Sequence, residues 1–192
     1  MKLGEAPMAE PLRRLFTTSE YHTMREARIL KEGGRFELIE GEIWEMAPIG
    51  SPHAGCVARL DRLLQRALGD DVLVSVQNPL HLDDFSEPEP DLQVLRFRPD
   101  FYSEAHPTAG DVIFLVEIAD SSLEYDRKVK IELYARHGLP EAWLVNLRED
   151  VLEVYRRPTP RGYAEVRQLR RGKTISPEAF PEMVVKVDAI LG

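Results

Sequence analysis

Apolar and polar positions change period several times along this 192-residue chain. Thr17 and Glu20 stand at capping-box spacing, which predicts a helix to about Leu30, closed by Gly33-Gly34. Two runs follow, Phe36-Glu37-Leu38-Ile39 and Glu42-Ile43-Trp44-Glu45-Met46, separated by Glu40-Gly41. An acid plus glycine between two such runs predicts a tight hairpin turn. Ser51-Pro52 predicts an N-cap with proline at the first helical position. The helix it opens runs through Leu68 and sets His53, Val57, Leu60 and Leu64 on one face. Gly69-Asp70-Asp71 breaks it, and Val72 to Leu82 reads as a strand.

The acidic, proline-rich stretch His81 to Pro90 predicts a loop delivering a short strand, Leu92-Gln93-Val94-Leu95, with Asp91 at its start. By the period of two, Gln93 shares the face of Asp91. Pro99 to Gly110 is a polar loop. The uninterrupted apolar run Val112-Ile113-Phe114-Leu115-Val116 then reads as a central strand covered on both faces, and it leads straight into Glu117. Ser121 and Glu124 predict the next helix start, and Gly138-Leu139-Pro140 its stop. Ala142 to Val145 is a further core strand, with Val151 to Tyr155 as its hairpin partner. Tyr163 to Leu169 and Met183 to Val187 carry weaker strand patterns. With no internal repeat or linker, the pattern predicts one mixed α+β domain over residues 17–192, after an N-terminal arm, 1–16, that holds Pro7 and Pro11.

Three residues interrupt this apolar scheme and suggest chemistry. A carboxylate at Glu117, on a buried strand, is badly desolvated unless paired, protonated or coordinating a cation. Asp91 is a second acid at a strand end, and two such acids with a lysine nearby make a candidate site for a hard divalent cation. The helix decides which lysine. With Leu123 at zero and about 100° per residue, Lys130 falls near 340°, between Leu133 at about 280° and Tyr134 at about 20°. Lys128 falls near 140°, beside Glu132 at about 180°, on the polar side. Lys130 thus lies in the buried stripe, either snorkelling to water or pointing at Asp91 and Glu117. His53, at a helix start and on the inward side, can contact a phosphate, orient a metal-bound water or be a hydrogen-bonded structural histidine. Glu40 is either a turn residue or an acid at the edge of the site.

A net charge of −8 argues against a general nucleic-acid coat protein, while leaving room for a nuclease with a local groove. The arginines Arg156, Arg157, Arg161, Arg167, Arg170 and Arg171 read either as a phosphate track or, preferably, as the solvated face of a twisted sheet. No apolar run reaches membrane-spanning length and the start of the chain lacks a signal-peptide pattern, so no membrane partner and a cytoplasmic location are expected. The single cysteine, Cys56, sits in a helical pattern and reads as a small buried thiol.

Taken together, Phe36-Glu37-Leu38-Ile39-Glu40-Gly41-Glu42, Pro52-His53, Pro90-Asp91, Val116-Glu117-Ile118, Lys130-Ile131-Glu132-Leu133-Tyr134 and Gly138-Leu139-Pro140-Glu141-Ala142-Trp143 resemble the PD-(D/E)XK nuclease superfamily. The likeness is nearest to its Uma-type branch of restriction endonucleases and spans about Phe36 to Tyr155. It implies a restriction-endonuclease-like mixed β-sheet core flanked by helices. It further implies Asp91 and Glu117 as metal ligands and a lysine as third catalytic member, with His53 and Glu40 as secondary candidates. Ala119 stands where the superfamily often has that lysine, and the resemblance offers Lys130 in its place. The implied chemistry is Mg2+-dependent hydrolysis of nucleic-acid phosphodiester bonds, DNA foremost, with Mn2+ as a substitute ion. Magnesium would polarise a phosphate oxygen and acidify a bound water, and Lys130 would stabilise developing negative charge. Two acids forced together in this way are expected to repel when no cation is bound. A homodimer is compatible with this reading. The rival reading is a catalytically degenerate nuclease-fold module that binds nucleic acid or a protein partner, its acids kept as an ion-pair cluster with Lys130. A metal-dependent hydrolase of small phosphate esters would differ only in substrate.

Overall fold

A computed structural model describes residues 12–192. Most of the expected N-terminal arm therefore lies outside the described residues. Helix α1 (Thr18–Glu26) starts as its capping box dictates, with the Thr17 side chain accepting from the Glu20 amide and Glu20 accepting from the Thr17 amide. It ends four residues before Leu30. Arg28 adopts a left-handed φ of 56°. Its amide donates to Arg25 O (3.0 Å) and the Ile29 amide to Met24 O (2.9 Å). That is a Schellman stop built from backbone bonds, with arginine where glycine is usual.

Strands β1 (Phe36–Ile39) and β2 (Glu42–Glu45) form the expected hairpin, paired from Phe36↔Glu45 to Ile39↔Glu42. Glu40 and Gly41 have φ of 50° and 79°, the doubly left-handed signature of a two-residue I′ turn. Helix α2 (Ser51–Leu68) has Gly50 rather than Ser51 as its N-cap and Pro52 in its first turn. Strand β3 (Val72–Val76) is shorter than the apolar run suggested, because Gln77 turns the chain with φ of 51°.

The main sheet is completed by β4 (Leu92–Arg96), β5 (Val112–Ala119), β6 (Glu141–Asn146), β7 (Val151–Thr159) and β8 (Gly162–Leu169). Its order is β3-β4-β5-β6-β7-β8, and only β5 and β6 run parallel. The crossover between them is helical: α3 (Leu123–Tyr125), a π-helical turn Asp126–Lys130, and α4 (Ile131–Arg136). The expected Ser121–Glu124 box does not form. The helix begins at Leu123, and the Ser122 hydroxyl donates instead to Asp126 Oδ2 at 2.5 Å. A short ladder of β9 (Thr174–Ile175) and β10 (Val185–Lys186) precedes α5 (Val187–Leu191).

This mixed sheet is flanked by helices on both faces. One core joins α2 and α5 to Val94, Phe114, Val116 and Trp143. The other packs Ile131 and Tyr134 against Leu115, Ala119, Ala142 and Leu144. The alternation along β5 therefore sends Leu115, Glu117 and Ala119 toward α4 and Val116 and Ile118 toward α2. Cys56 is buried, its Sγ donating to Ile190 O, and burial pushes its thiol up to about 11. Of the arginines expected on a solvated sheet face, Arg167 pairs with Glu165, Arg171 with Asp150, and Arg170 donates to Glu149 O.

Candidate active site

Sheet register brings the two strand-end acids together. Leu92 pairs with Val116 across the antiparallel β4–β5 ladder, so one further step sets Asp91 beside Glu117. The π turn then swings Lys130 over this point. Its ammonium lies 2.8 Å from Glu117 Oε1 and donates to Glu37 Oε1 at 3.1 Å and Glu89 O at 3.5 Å. Lys128, as its wheel position indicated, is exposed, and among the described residues it pairs only with Glu124. Ala119 faces α4 one alternation beyond Glu117, and the ammonium that pairs with Glu117 comes from Lys130 instead.

The two acids differ in their surroundings. Asp91 receives hydrogen bonds from His53 Nε2 (3.0 Å), Gln77 Nε2 (3.1 Å) and the Ile118 amide (2.9 Å). Burial pushes its carboxyl up, but His53, the charge of Lys130 and Gln77 outweigh that and hold it below the usual carboxylate range. Glu117 accepts from Tyr134 Oη at 2.5 Å. Burial pushes its carboxyl up to about 8; Lys130 opposes this, and Asp91, Asp126 and Glu37 add to it. Burial is the largest cause of the rise at Glu117, and the charge of Asp91 adds to it. Burial alone would lower the Lys130 ammonium, but Glu117 and Glu37 raise it well above its ordinary value. It stays charged.

Asp91, Glu117 and Lys130 line a cleft of about 160 Å³. His53 joins it through Asp91, although its Nδ1 is buried without a partner among the described residues. Glu40 does not. It sits exposed at the hairpin turn, paired with Arg136 Nη2 at 2.7 Å, and is a turn residue whose side chain points away from the cleft. Gln93 is buried elsewhere, donating to Asn78 O at 2.8 Å.

Sequence reasoning missed two buried cleft acids, beside the half-buried Glu89 and Asp120. Glu37 is buried, with Oε2 unpartnered among the described residues. The alternation Phe36-Glu37-Leu38 was its available signal, since it turns Glu37 to the face opposite the Tyr21 cluster. Asp126 is buried and pushed up to about 6 by burial, against Lys130 and the Ser122 hydrogen bond. On the helical wheel it falls near 300°, inside the stripe with Lys130, so its signal was present as well.

This fold has a solved counterpart. It matches the crystal structure of a "putative nuclease belonging to DUF820" from Anabaena variabilis ATCC 29413 with a TM-score of 0.68 and 17% sequence identity, over 88% of this chain and 96% of that one. At that identity the likeness concerns the fold alone. Residues 18–188 match the model of the Uma2 family, described as putative restriction endonucleases, and the chain belongs to that family. No curated protein matches it.

Proposed function

We propose that the chain is a metal-dependent endonuclease that hydrolyses nucleic-acid phosphodiester bonds, DNA foremost. The observation that carries this reading is the charge balance of the cleft. Glu37, Asp91, Glu117 and Asp126 are buried there around a single buried lysine ammonium. Such an excess of carboxylate oxygen suits a hard divalent cation, which would lower the electrostatic cost now borne by Glu117 and Asp126.

Asp91 and Glu117 would hold the ion. Among the described residues no group of three or more His, Cys, Asp or Glu encloses a cation position. Two carboxylates with water completing the shell are the mode magnesium adopts. When bound, the ion supplies Lewis acidity toward a phosphate oxygen and toward water. The chain's own groups do the rest. His53, Gln77 and the Ile118 amide keep Asp91 ionised and oriented. Tyr134 fixes the Glu117 carboxyl. Lys130, its ammonium held above its ordinary value by Glu117 and Glu37 and anchored by Glu37, presents a preorganised cation to the negative charge that develops on the phosphate.

The pairing of Lys130 with both Glu37 and Glu117 also supports a second reading, a nuclease-like binding module whose acids form a structural cluster. Calorimetric titration with Mg2+ or Mn2+, beside cleavage of plasmid and oligonucleotides, separates the two. The nuclease reading expects metal-dependent cleavage that Asp91→Asn and Glu117→Gln abolish together with ion binding. Cation binding unchanged in both variants, or no cleavage with either ion, would sink it.

A further inference from the structure

The open face of the β1–β2 hairpin continues the cleft outward. Arg35 and Met46 are hydrogen-bonded neighbours at its base, Met46 N donating to Arg35 O at 2.8 Å, and both line the cleft. Glu37 follows on the same face by the period of two, and its cross-strand partner is Trp44. Cross-strand partners project to the same side, so Trp44 stands on the cleft side of the hairpin, beyond Glu37. Phe36, Leu38 and Ile43 take the opposite side and pack with Tyr21.

Two features of this face have no role in the cluster described above. Trp44 is 38% exposed, an expensive placement for an indole. It is held in place by Tyr125, with ring centroids 4.9 Å apart and planes tilted by 48°, and Tyr125 directly precedes the cleft acid Asp126. Arg35 is half buried in the cleft wall, and among the described residues its guanidinium has no carboxylate within salt-bridge distance. A braced aromatic face on the same side of the hairpin as a cleft-lining guanidinium, outward of a candidate phosphodiester site, is the combination that holds single-stranded nucleic acid.

We infer that this hairpin face is the substrate track: Arg35 takes a backbone phosphate of an unpaired nucleic-acid strand, and Trp44 stacks the neighbouring base. The inference rests on the nuclease reading above and adds a strand preference to it. Duplex ends and interior base pairs keep their bases stacked on one another, so a base reaches the indole only where the strand is single or frayed. The guanidinium also offsets the acidic floor, which otherwise repels the backbone.

Trp44 can be followed directly. The other tryptophan, Trp143, is fully buried in the sheet core, so a change in emission on adding ligand reports Trp44. The probe is a fluorescein-labelled 12-nucleotide single strand and the same sequence as blunt duplex, titrated into the full chain with calcium in place of magnesium. Wild type should bind the single strand more tightly and lose tryptophan emission. Trp44→Ala should weaken single-strand binding by about 5- to 150-fold, the range for one stacked base, and Trp44→Phe should recover most of it. Arg35→Gln should lower the slope of log affinity against log salt by about 0.7, whereas Trp44→Ala should leave that slope unchanged. Wild type that cleaves DNA but binds duplex equally well, with unchanged emission and no loss in Trp44→Ala, would overturn the track and leave the nuclease reading standing. Wild type that neither cleaves nor binds either probe would overturn both.

Discussion

Two regions of this molecule bury carboxylates in the same sheet, and they solve the problem differently. Toward the β7 side, Glu141 and Glu153 are each buried and each matched. Glu141 accepts from Trp143 Nε1 (2.6 Å) and Arg156 Nη2 (2.8 Å) through one oxygen, and from the Glu178 amide (2.6 Å) through the other. Glu153 receives both Arg127 Nε (3.1 Å) and Nη2 (2.6 Å), a bidentate guanidinium pair. Where β4 and β5 meet, four buried acids share one buried lysine, one oxygen of Glu37 has no partner, and Glu117 is pushed up to about 8. The same π turn supplies Arg127 to the first region and Lys130 to the second. Buried charge is structural where each acid has its cation, and becomes a site where acids outnumber cations.

Breaking a matched pair should cost most. Arg156→Met leaves Glu141 buried without its cation and should destabilise the fold by about 3–5 kcal/mol. Urea unfolding measures it, and a loss below about 1 kcal/mol would remove the distinction between the regions. Next in size is Lys130→Ala. Loss of one preorganised charge should lower metal-dependent cleavage about 100- to 1,000-fold in a variant that still folds by circular dichroism. Full activity would show that the lysine is not at the reacting centre.

The unmatched region should also reveal itself through pH. Glu117 has a folded-state value raised above its unfolded one, so its contribution is fully present below about 4.5 and is lost as pH rises through about 8. Metal-free wild type should therefore lose stability between pH 5 and 8, on the order of 3 kcal/mol, and Glu117→Gln should flatten that slope. A flat wild-type profile would mean that the excess charge is relieved some other way. Saturating Mg2+, at about 100 times its Kd, should raise stability by about 2.7 kcal/mol in wild type and by nothing in Asp91→Asn. Smallest of all, Lys128→Ala should change stability by less than about 0.5 kcal/mol and leave cleavage unaltered, since its side chain is exposed and pairs with the exposed Glu124. A large loss there would place the wrong lysine in the cleft.

Much of this was legible in the residues. The Thr17–Glu20 box, the Glu40-Gly41 turn, the buried run ending at Glu117 and the inward position of Lys130 are all local patterns, and each has its counterpart in the structure. Local signals failed where a distant partner intervened. The run after Val72 stops at Val76 because Gln77 turns and donates to Asp91, and the Ser121–Glu124 box is superseded because Ser122 serves Asp126 instead. Glu40 was weighed as a site acid, but the turn holds it outside, beside Arg136.

By itself, then, the sequence determined which residues could not rest in an apolar core: Asp91, Glu117 and Lys130 declare themselves through period and neighbours, which depend only on backbone geometry. The tertiary structure alone decided how many acids share that lysine. Glu37 reaches Lys130 across 93 positions, and the value near 8 at Glu117 arises from burial and from four charges on three separate segments. Charge balance inside a cleft is a sum over groups that only folding brings within a few ångströms of one another.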